Sequence, residues 1–445
     1  MKLKRTYKYR IYPNREEKSI LDKTLNTYRI LYNDCLTERR DAWDISHKSI
    51  NYYDQANQLK EIKTFDEDLK EVHSQVIQDV LKRIDKAFKN FFRRVRRKEK
   101  AGYPRYKPRS RYSSFTYPQT GFEFSEDGKK LILSKIGSVN IKKSLKIKDF
   151  WDTQIEDLRL HRDIRKDANI KTCTIEKDLD RWYACFAVEI EVEELNYNEE
   201  ITNPIGIDLG INHLITLSNG DTEDNPRYLS KSEKRLKRKQ RKLTKVLTTS
   251  SWDLENLRFS KTKKRSNNRS KRRFEVAKTH RKVREQRTDL LHKISRSLVN
   301  TFDLIVFEDL KVKNMLKNHH LAKSISDATK SLISCRENGT FSHVSWSQLT
   351  NFVSYKAEEA GRRVEFVNPK NTSQECSNCG EIVKKPLSQR VHKCPFCRLV
   401  IDRDFNAAIN VLKKELKNLN VGQGLSEFKS EDFSKRRVIQ EAPML

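Results

Sequence analysis

Two sets of residues in this sequence are spaced to do chemistry. The first is two Cys-x-x-Cys pairs, Cys376/Cys379 and Cys394/Cys397, with 14 residues between them. Each pair sits on a tight knuckle, Cys376-Ser377-Asn378-Cys379-Gly380 and Cys394-Pro395-Phe396-Cys397. Four thiolates at this spacing close a tetrahedral Zn²⁺ site of the ribbon type. Two disulfides are the alternative, and a reducing compartment argues against them. A closed four-cysteine site is structural and supplies no catalysis. The other four cysteines (Cys35, Cys173, Cys185, Cys335) are scattered singly in apolar surroundings, as buried small hydrophobes would be.

The second set is carboxylates far apart in sequence. Ile205-Gly206-Ile207-Asp208-Leu209-Gly210 is an apolar strand carrying one acid, and Leu304-Ile305-Val306-Phe307-Glu308-Asp309 is a buried-strand pattern ending in acid. Ile401 to Val411 reads as an alanine-rich helix that opens with Asp402 and Asp404. Singly, each acid reads as structural. Together, acids at strand ends and at a helix N-terminus suit an RNase H-like phosphodiester site. There three carboxylates hold two Mg²⁺ roughly 4 Å apart, with Mn²⁺ as a substitute. One metal activates water, the other stabilises the leaving oxygen, and no histidine is needed. Spacing alone leaves the third acid open between Asp402 and Asp404.

These residues need elements to hold them. Thr6 to Ile11 alternates polar and apolar as a half-buried strand, and Pro13-Asn14 ends it and offers a helix start. Apolar residues then recur at helical spacing to about Lys100 (Ile20, Leu21, Leu25, Tyr28, then Val76, Ile77, Val80, Leu81), with polar breaks near 45–55 and 64–69. The last helix ends in Phe91-Phe92-Arg93-Arg94-Val95-Arg96-Arg97-Lys98, suited to a phosphate backbone or to a solvated helix end. Between 102 and 194 short runs (115–117, 131–133, 139–141, 170–175, 182–192) predict a small barrel or sandwich that the strand around Tyr7 could join. His213 to Leu217 is a further strand before an Asn219-Gly220 turn.

Charge narrows the class. Lys and Arg outnumber Asp and Glu by 92 to 61, a net +31 in 445 residues. Between 231 and 290 stand 23 Lys and Arg against 6 Asp and Glu, a net +17. Charges this dense repel unless a polyanion lies against them, so nucleic acid is the expected partner. Val276, Val283, Leu290, Ile294 and Leu298 add a helical stripe to this stretch. No stretch approaches the roughly 20 apolar residues that span a bilayer, and the basic N-terminus lacks the apolar core of a signal peptide. The expectation is a protein of the prokaryotic cytoplasm or nucleoid, with no membrane partner.

The segments Gly206-Ile207-Asp208-Leu209-Gly210-Ile211-Asn212, Val306-Phe307-Glu308-Asp309-Leu310 and Asp402-Arg403-Asp404-Phe405-Asn406-Ala407-Ala408-Ile409-Asn410 resemble the three RuvC motifs of TnpB proteins. Thr372 to Gly380 resembles that family's zinc-knuckle opening. Tyr9-Arg10-Ile11-Tyr12-Pro13, Ala87-Phe88-Lys89-Asn90-Phe91-Phe92 and Leu321 to Ala328 match in the same order. TnpB proteins are insertion-sequence-encoded and similar to compact type V CRISPR effectors. The resemblance implies an enzyme that binds a transposon-derived guide RNA and cleaves double-stranded target DNA beside a short flanking motif. It implies that Asp208, Glu308 and Asp404 are catalytic Mg²⁺ ligands, and that Asp402 caps the helix or supports the ligand. By position in the matching helices, Tyr52 and Gln78 are candidates for DNA contact.

The fold expected is α+β and multidomain. A wedge β-barrel would comprise 1–13 and 102–194, with a helical recognition domain (14–101) inserted in it. A linker (195–204) would lead to a RuvC-like nuclease domain (205–372) with a basic helical insert at 230–300. A zinc ribbon (373–399) and the closing nuclease part (400–417) follow, and 418–445 is expected to be disordered. Residues 329–345 lengthen a stretch that is short in the family pattern. Two other readings stay in play: a guide-dependent DNA-binding repressor without cleavage, and a non-enzymatic zinc-ribbon nucleic-acid-binding protein.

Overall fold

The computed structural model describes residues 2–125, 130–141, 169–191, 201–248, 267–310, 345–386 and 389–419. The Leu321–Ala328 match, most of the 329–345 stretch and nearly all of the tail lie outside them. The chain divides into two compact units, Met1–Glu194 and Leu195–Leu445.

In the first unit, β1 (Lys2–Ile11) buries Tyr7, Tyr9 and Ile11 at alternate positions. Asn14 then opens α1 (Arg15–Ser46) with a capping box: its side chain accepts the Glu17 amide at 2.8 Å, and its own N–H donates to the Glu17 carboxylate at 2.8 Å. Next come α2 (Tyr52–Phe65), α3 (Glu67–Lys70) and α4 (Ser74–Arg96). Leu21, Leu25, Tyr28 and Leu36 of α1 share a core with Val76, Ile77, Val80 and Ile84 of α4.

Six more strands follow: β2 (Ser114–Tyr117), β3 (Phe122–Phe124), β4 (Lys130–Leu133), β5 (Gly137–Asn140), β6 (Asn169–Asp178) and β7 (Arg181–Glu191). β1 pairs antiparallel with β7 along its whole length, from Lys2↔Glu191 to Ile11↔Trp182, so the helices are an insertion between paired strands. The described strands form two sheets, β1-β7-β6-β2 and β3-β4-β5, joined by one bridge between Tyr12 and Asn140. These ladders do not close on themselves. Strand β3, unexpected from the sequence, is only three residues long, too short for alternation to declare it.

The second unit is built on β8 (Pro204–Asp208), β9 (His213–Leu217) and β10 (Thr222–Asp224). Two helices, α5 (Tyr228–Thr248) and α6 (Asn267–Thr301), precede β11 (Leu304–Glu308). Then come α7 (Ser345–Ala360), β12 (Arg363–Val367), β13 (Val391–Lys393), β14 (Val400–Asp402) and α8 (Arg403–Asn418). The main sheet runs β10-β9-β8-β11-β12, an antiparallel meander followed by the parallel neighbours β8, β11 and β12.

Strand alternation sorts the two faces. Ile205, Ile207, Ile305 and Phe307 pack with Leu291 and Leu298 of α6 and with Leu349 and Val353 of α7. Leu304 and Val306 pack with Val411 of α8 on the opposite face. Gly206 and Asp208, out of phase with Ile205 and Ile207, therefore lie on the α8 face. There α8 comes so close that a Cβ at Gly206 would stand 2.3 Å from the Ala408 carbonyl and 2.8 Å from the Leu412 amide. The fully buried Ala407 and Ala408 give that approach its room. Gly206→Ala is expected to lower stability by ~1–3 kcal/mol by pushing α8 off the sheet. A wild-type urea midpoint in that variant would mean the helix seats less tightly than described.

Candidate active site and metal centre

The parallel register Ile207↔Phe307 brings Asp208 and Glu308 to the same level, at the C-terminal ends of adjacent strands. Both are on the face that α8 covers, and Asp404 enters from the first turn of α8. A Cβ at Gly210, in the turn after β8, would be 4.0 Å from Asp404 Oδ2, so that turn adjoins the third acid. The three acids thus converge from elements about 100 residues apart in sequence.

Their electrostatics record the crowding. Asp208 is held well above the usual carboxylate range, first by burial and then by the charges of Glu308 and Asp404. Glu308, 7 % exposed, is raised mainly by burial, with Asp404 adding to the shift and Thr372 and Lys414 opposing it. Its Oε1 is buried with no hydrogen-bond partner among the described residues. Asp404, 8 % exposed, accepts Arg403 Nε and Nη2 on Oδ1 at 3.0 and 2.7 Å, and Arg390 Nη1 on Oδ2 at 3.1 Å. The buried Glu308 and Asp404 and the half-buried Asp208, with the orphaned oxygen on Glu308, fit hard cations, which bind oxygen ligands and relieve the mutual repulsion.

Asp402 has a different task. Its Oδ1 accepts the amides of Asp404 (2.8 Å) and Phe405 (3.0 Å), making it the N-cap of α8. Asp402→Ala should cost ~1 kcal/mol of stability. Thermal melting, with cleavage measured well below the transition, tests this: a stability unchanged from wild type contradicts the capping role.

The four cysteines of the second set come together with all Sγ atoms within 4.8 Å of one another. Cys376–Cys397 and Cys379–Cys394 are each separated by 3.6 Å. That is far beyond the ~2.05 Å of a disulfide, and close to the ~3.8 Å edge of a tetrahedron with Zn–S bonds of ~2.3 Å. Backbone amides favour the thiolates. The Leu399 amide foremost holds Cys397 down to about 6, whereas burial pushes Cys376 up to about 12 against the amides of Cys379 and Asn378. The donor set and spacing are compatible with a zinc site.

The cysteine knuckle is tied directly to α8. Asn406 accepts the Ser377 amide at 2.9 Å and donates to the Glu375 carbonyl at 2.7 Å. Asn410, one turn on, donates to the carbonyls of Thr372 and Glu375 at 2.9 and 2.7 Å. Sequence reasoning placed no role on these asparagines, nor on Arg390 and Arg403. Two buried asparagines four apart inside a helix, against their propensity, were the available signal. Of the proposed DNA contacts, Tyr52 is half-buried at the start of α2 and packs against the core, while Gln78 is exposed on α4.

Family models match three parts of the chain: a "Helix-turn-helix domain" over 1–48, "Probable transposase" over 186–253 and 248–319, and "Cas12f1-like, TNB domain" over 346–411. The first of these spans β1 and the single long helix α1 here. A protein of Streptomyces pristinaespiralis named RNA-guided DNA endonuclease is 30% identical over 99% of this chain and 96% of its own length. InsQ of Escherichia coli K12, with the same designation, is 27% identical over 93% and 92%. A CRISPR-associated endodeoxyribonuclease Cas12f2 of a Micrarchaeota archaeon is 26% identical over 54% of this chain and 41% of its own. Among solved structures, the mini-RNA-guided endonuclease CRISPR-Cas_phi3 aligns over 92% of each chain at a TM-score of 0.45 and 10% identity, too distant to place any residue. The chain belongs to the TnpB family of insertion-sequence proteins, which takes in the RNA-guided DNA endonucleases.

Proposed function

We propose that this protein is an RNA-guided DNA endonuclease that binds a transposon-derived guide RNA and cleaves double-stranded target DNA beside a short flanking motif. The observation that carries the reading is the convergence of Asp208, Glu308 and Asp404 on the α8 face of the mixed sheet. Strand order, the two acids at parallel strand ends and the acid-bearing helix support a RuvC-like assignment for this unit. In that assignment Asp208, Glu308 and Asp404 would hold two Mg²⁺, whose chemistry would be activation of the attacking water and stabilisation of the leaving oxygen. The chain's own contribution is to position them: α8 seats on Gly206, Asp402 sets its first turn, and Arg403 and Arg390 orient the Asp404 carboxylate.

The first unit, with its helices inserted in a β framework, takes the wedge and recognition roles, and Tyr52 and Gln78 are the residues proposed to touch the flanking DNA. The cysteine cluster holds a structural Zn²⁺ that anchors the start of α8. Delegating sequence to base pairing leaves the protein to bind backbones, which suits a net charge of +31. Sequencing the RNA that copurifies with the protein tests the partner: one defined RNA species is expected, and a preparation carrying only bulk cellular RNA contradicts the guide.

A further inference from the structure

The C-terminal end of α4 bears an aromatic surface that the nuclease site does not use. Phe92, Tyr103 and Tyr106 are 51 %, 45 % and 45 % exposed. They are not loose rings. Phe88 lies stacked on Phe92 at 6.3 Å and edge-on to Tyr103 at 5.5 Å, while Phe91 meets Phe92 at 5.1 Å and Tyr103 at 5.5 Å. The Thr37 hydroxyl donates to the Tyr106 hydroxyl at 3.2 Å. Beneath the cluster the buried Arg39 guanidinium lies 5.2 Å from the Phe88 ring centre and is itself fixed by Gln55 Oε1 at 2.8 Å.

Around these rings the chain is basic. Arg93, Arg94, Arg96 and Arg97 are all exposed, and among the described residues none of them makes an ion pair. An apolar patch held rigid and left open marks an interaction surface. A rim of unpaired guanidinium groups selects a polyanion for it. Rigid rings interleaved with arginines are how single-stranded nucleic acid is held: bases stack on the rings while the arginines take the phosphates.

We propose that Phe92, Tyr103 and Tyr106 form a stacking platform for unpaired nucleotides of the guide RNA, with Arg93, Arg94, Arg96 and Arg97 on its phosphates. This rests on the guide-RNA reading above. RNA is the occupant because it offers free base faces before any target is opened, whereas the bases of duplex DNA are already stacked on one another.

The test uses the full chain with its guide RNA carrying 4-thiouridine, irradiated and digested to locate crosslinked peptides. A parallel arm carries 4-thiothymidine in either DNA strand. Crosslinks from RNA to Phe92 or Tyr103 are expected. Phe92→Ala with Tyr103→Ala should weaken RNA binding roughly tenfold per stacked base and leave the salt dependence unchanged, while Phe92→Trp retains affinity. Arg94→Ala should instead lower the salt slope by about one. RNA bound at full affinity by the double alanine variant, or crosslinks to DNA alone, overturns the platform without touching the guide reading. Absence of any specific RNA overturns both.

Discussion

Alanine at Asp208, Glu308 or Asp404 is in each case expected to abolish cleavage, a loss on the order of 10³-fold or more, since under the proposed function each would remove a ligand from metals that supply several kcal/mol of transition-state stabilisation. Guided binding of DNA will survive, because Asp208 and Glu308 lie on the sheet face that α8 covers and Asp404 is buried in the first turn of that helix, and none of the three forms the basic surfaces. Asp402→Ala will behave differently and keep measurable activity, because its carboxylate is spent on the Asp404 and Phe405 amides. Cleavage rates measured beside binding by gel shift separate these outcomes. If Asp402→Ala is dead and Asp404→Ala cuts, the third ligand is the capping residue and the orientation of α8 has been misjudged.

The second large effect concerns zinc. A structural Zn²⁺ contributes ~10–16 kcal/mol to a small folding unit, and here the unit is bonded to the helix that carries Asp404. Cys394→Ser or Cys376→Ser will drop bound zinc from one per chain toward none. It will also free the knuckle from Asn406 and Asn410. Cutting should fall with it, although no cysteine touches the acids. Elemental analysis gives the zinc content, and hydrogen exchange over 372–419 reports the loosening. A folded, active preparation free of zinc contradicts this account. Asn410→Ala offers a milder version, because it removes two hydrogen bonds to the knuckle and leaves the cysteines in place.

Much of this arrangement was legible in the sequence because its signals are local. Cysteine spacing announces a metal knuckle and an acid closing an apolar run announces a strand end, whereas spacing left Asp402 and Asp404 undecided and only the family resemblance pointed to Asp402 as the cap. The antiparallel partner of β1 was foreseeable in kind, since a lone strand must pair somewhere. What sequence did not reveal was anything set by close approach between distant elements. Gly206 reads as an ordinary glycine until α8 is laid across it. The register that levels Asp208 with Glu308 depends on which residues of β8 and β11 face each other. Of the helical stripe Val276, Val283, Leu290, Ile294 and Leu298 on α6, Val283, Ile294 and Leu298 are buried and Val276 and Leu290 half-buried, while Leu291 and Val299 are buried as well because α7 and the sheet enclose a wider face of the helix. The pairing of Arg390 with Asp404 joins the cysteine-bearing hairpin to the acid site across 14 residues of sequence, and no periodicity announces it.

The most direct measurement of the central claim is cleavage with a changed guide. The protein, loaded with its own RNA or with the same RNA carrying a replaced guide segment, is given a DNA library with randomised flanks in Mg²⁺. The account predicts that cutting moves to the DNA matching the new guide, next to one short flanking motif, and disappears in Asp208→Ala. Cutting at the same sites whatever the guide would contradict it in favour of an unguided nuclease, and guide-directed binding with no cutting in Mg²⁺ or Mn²⁺ would contradict it in favour of a repressor.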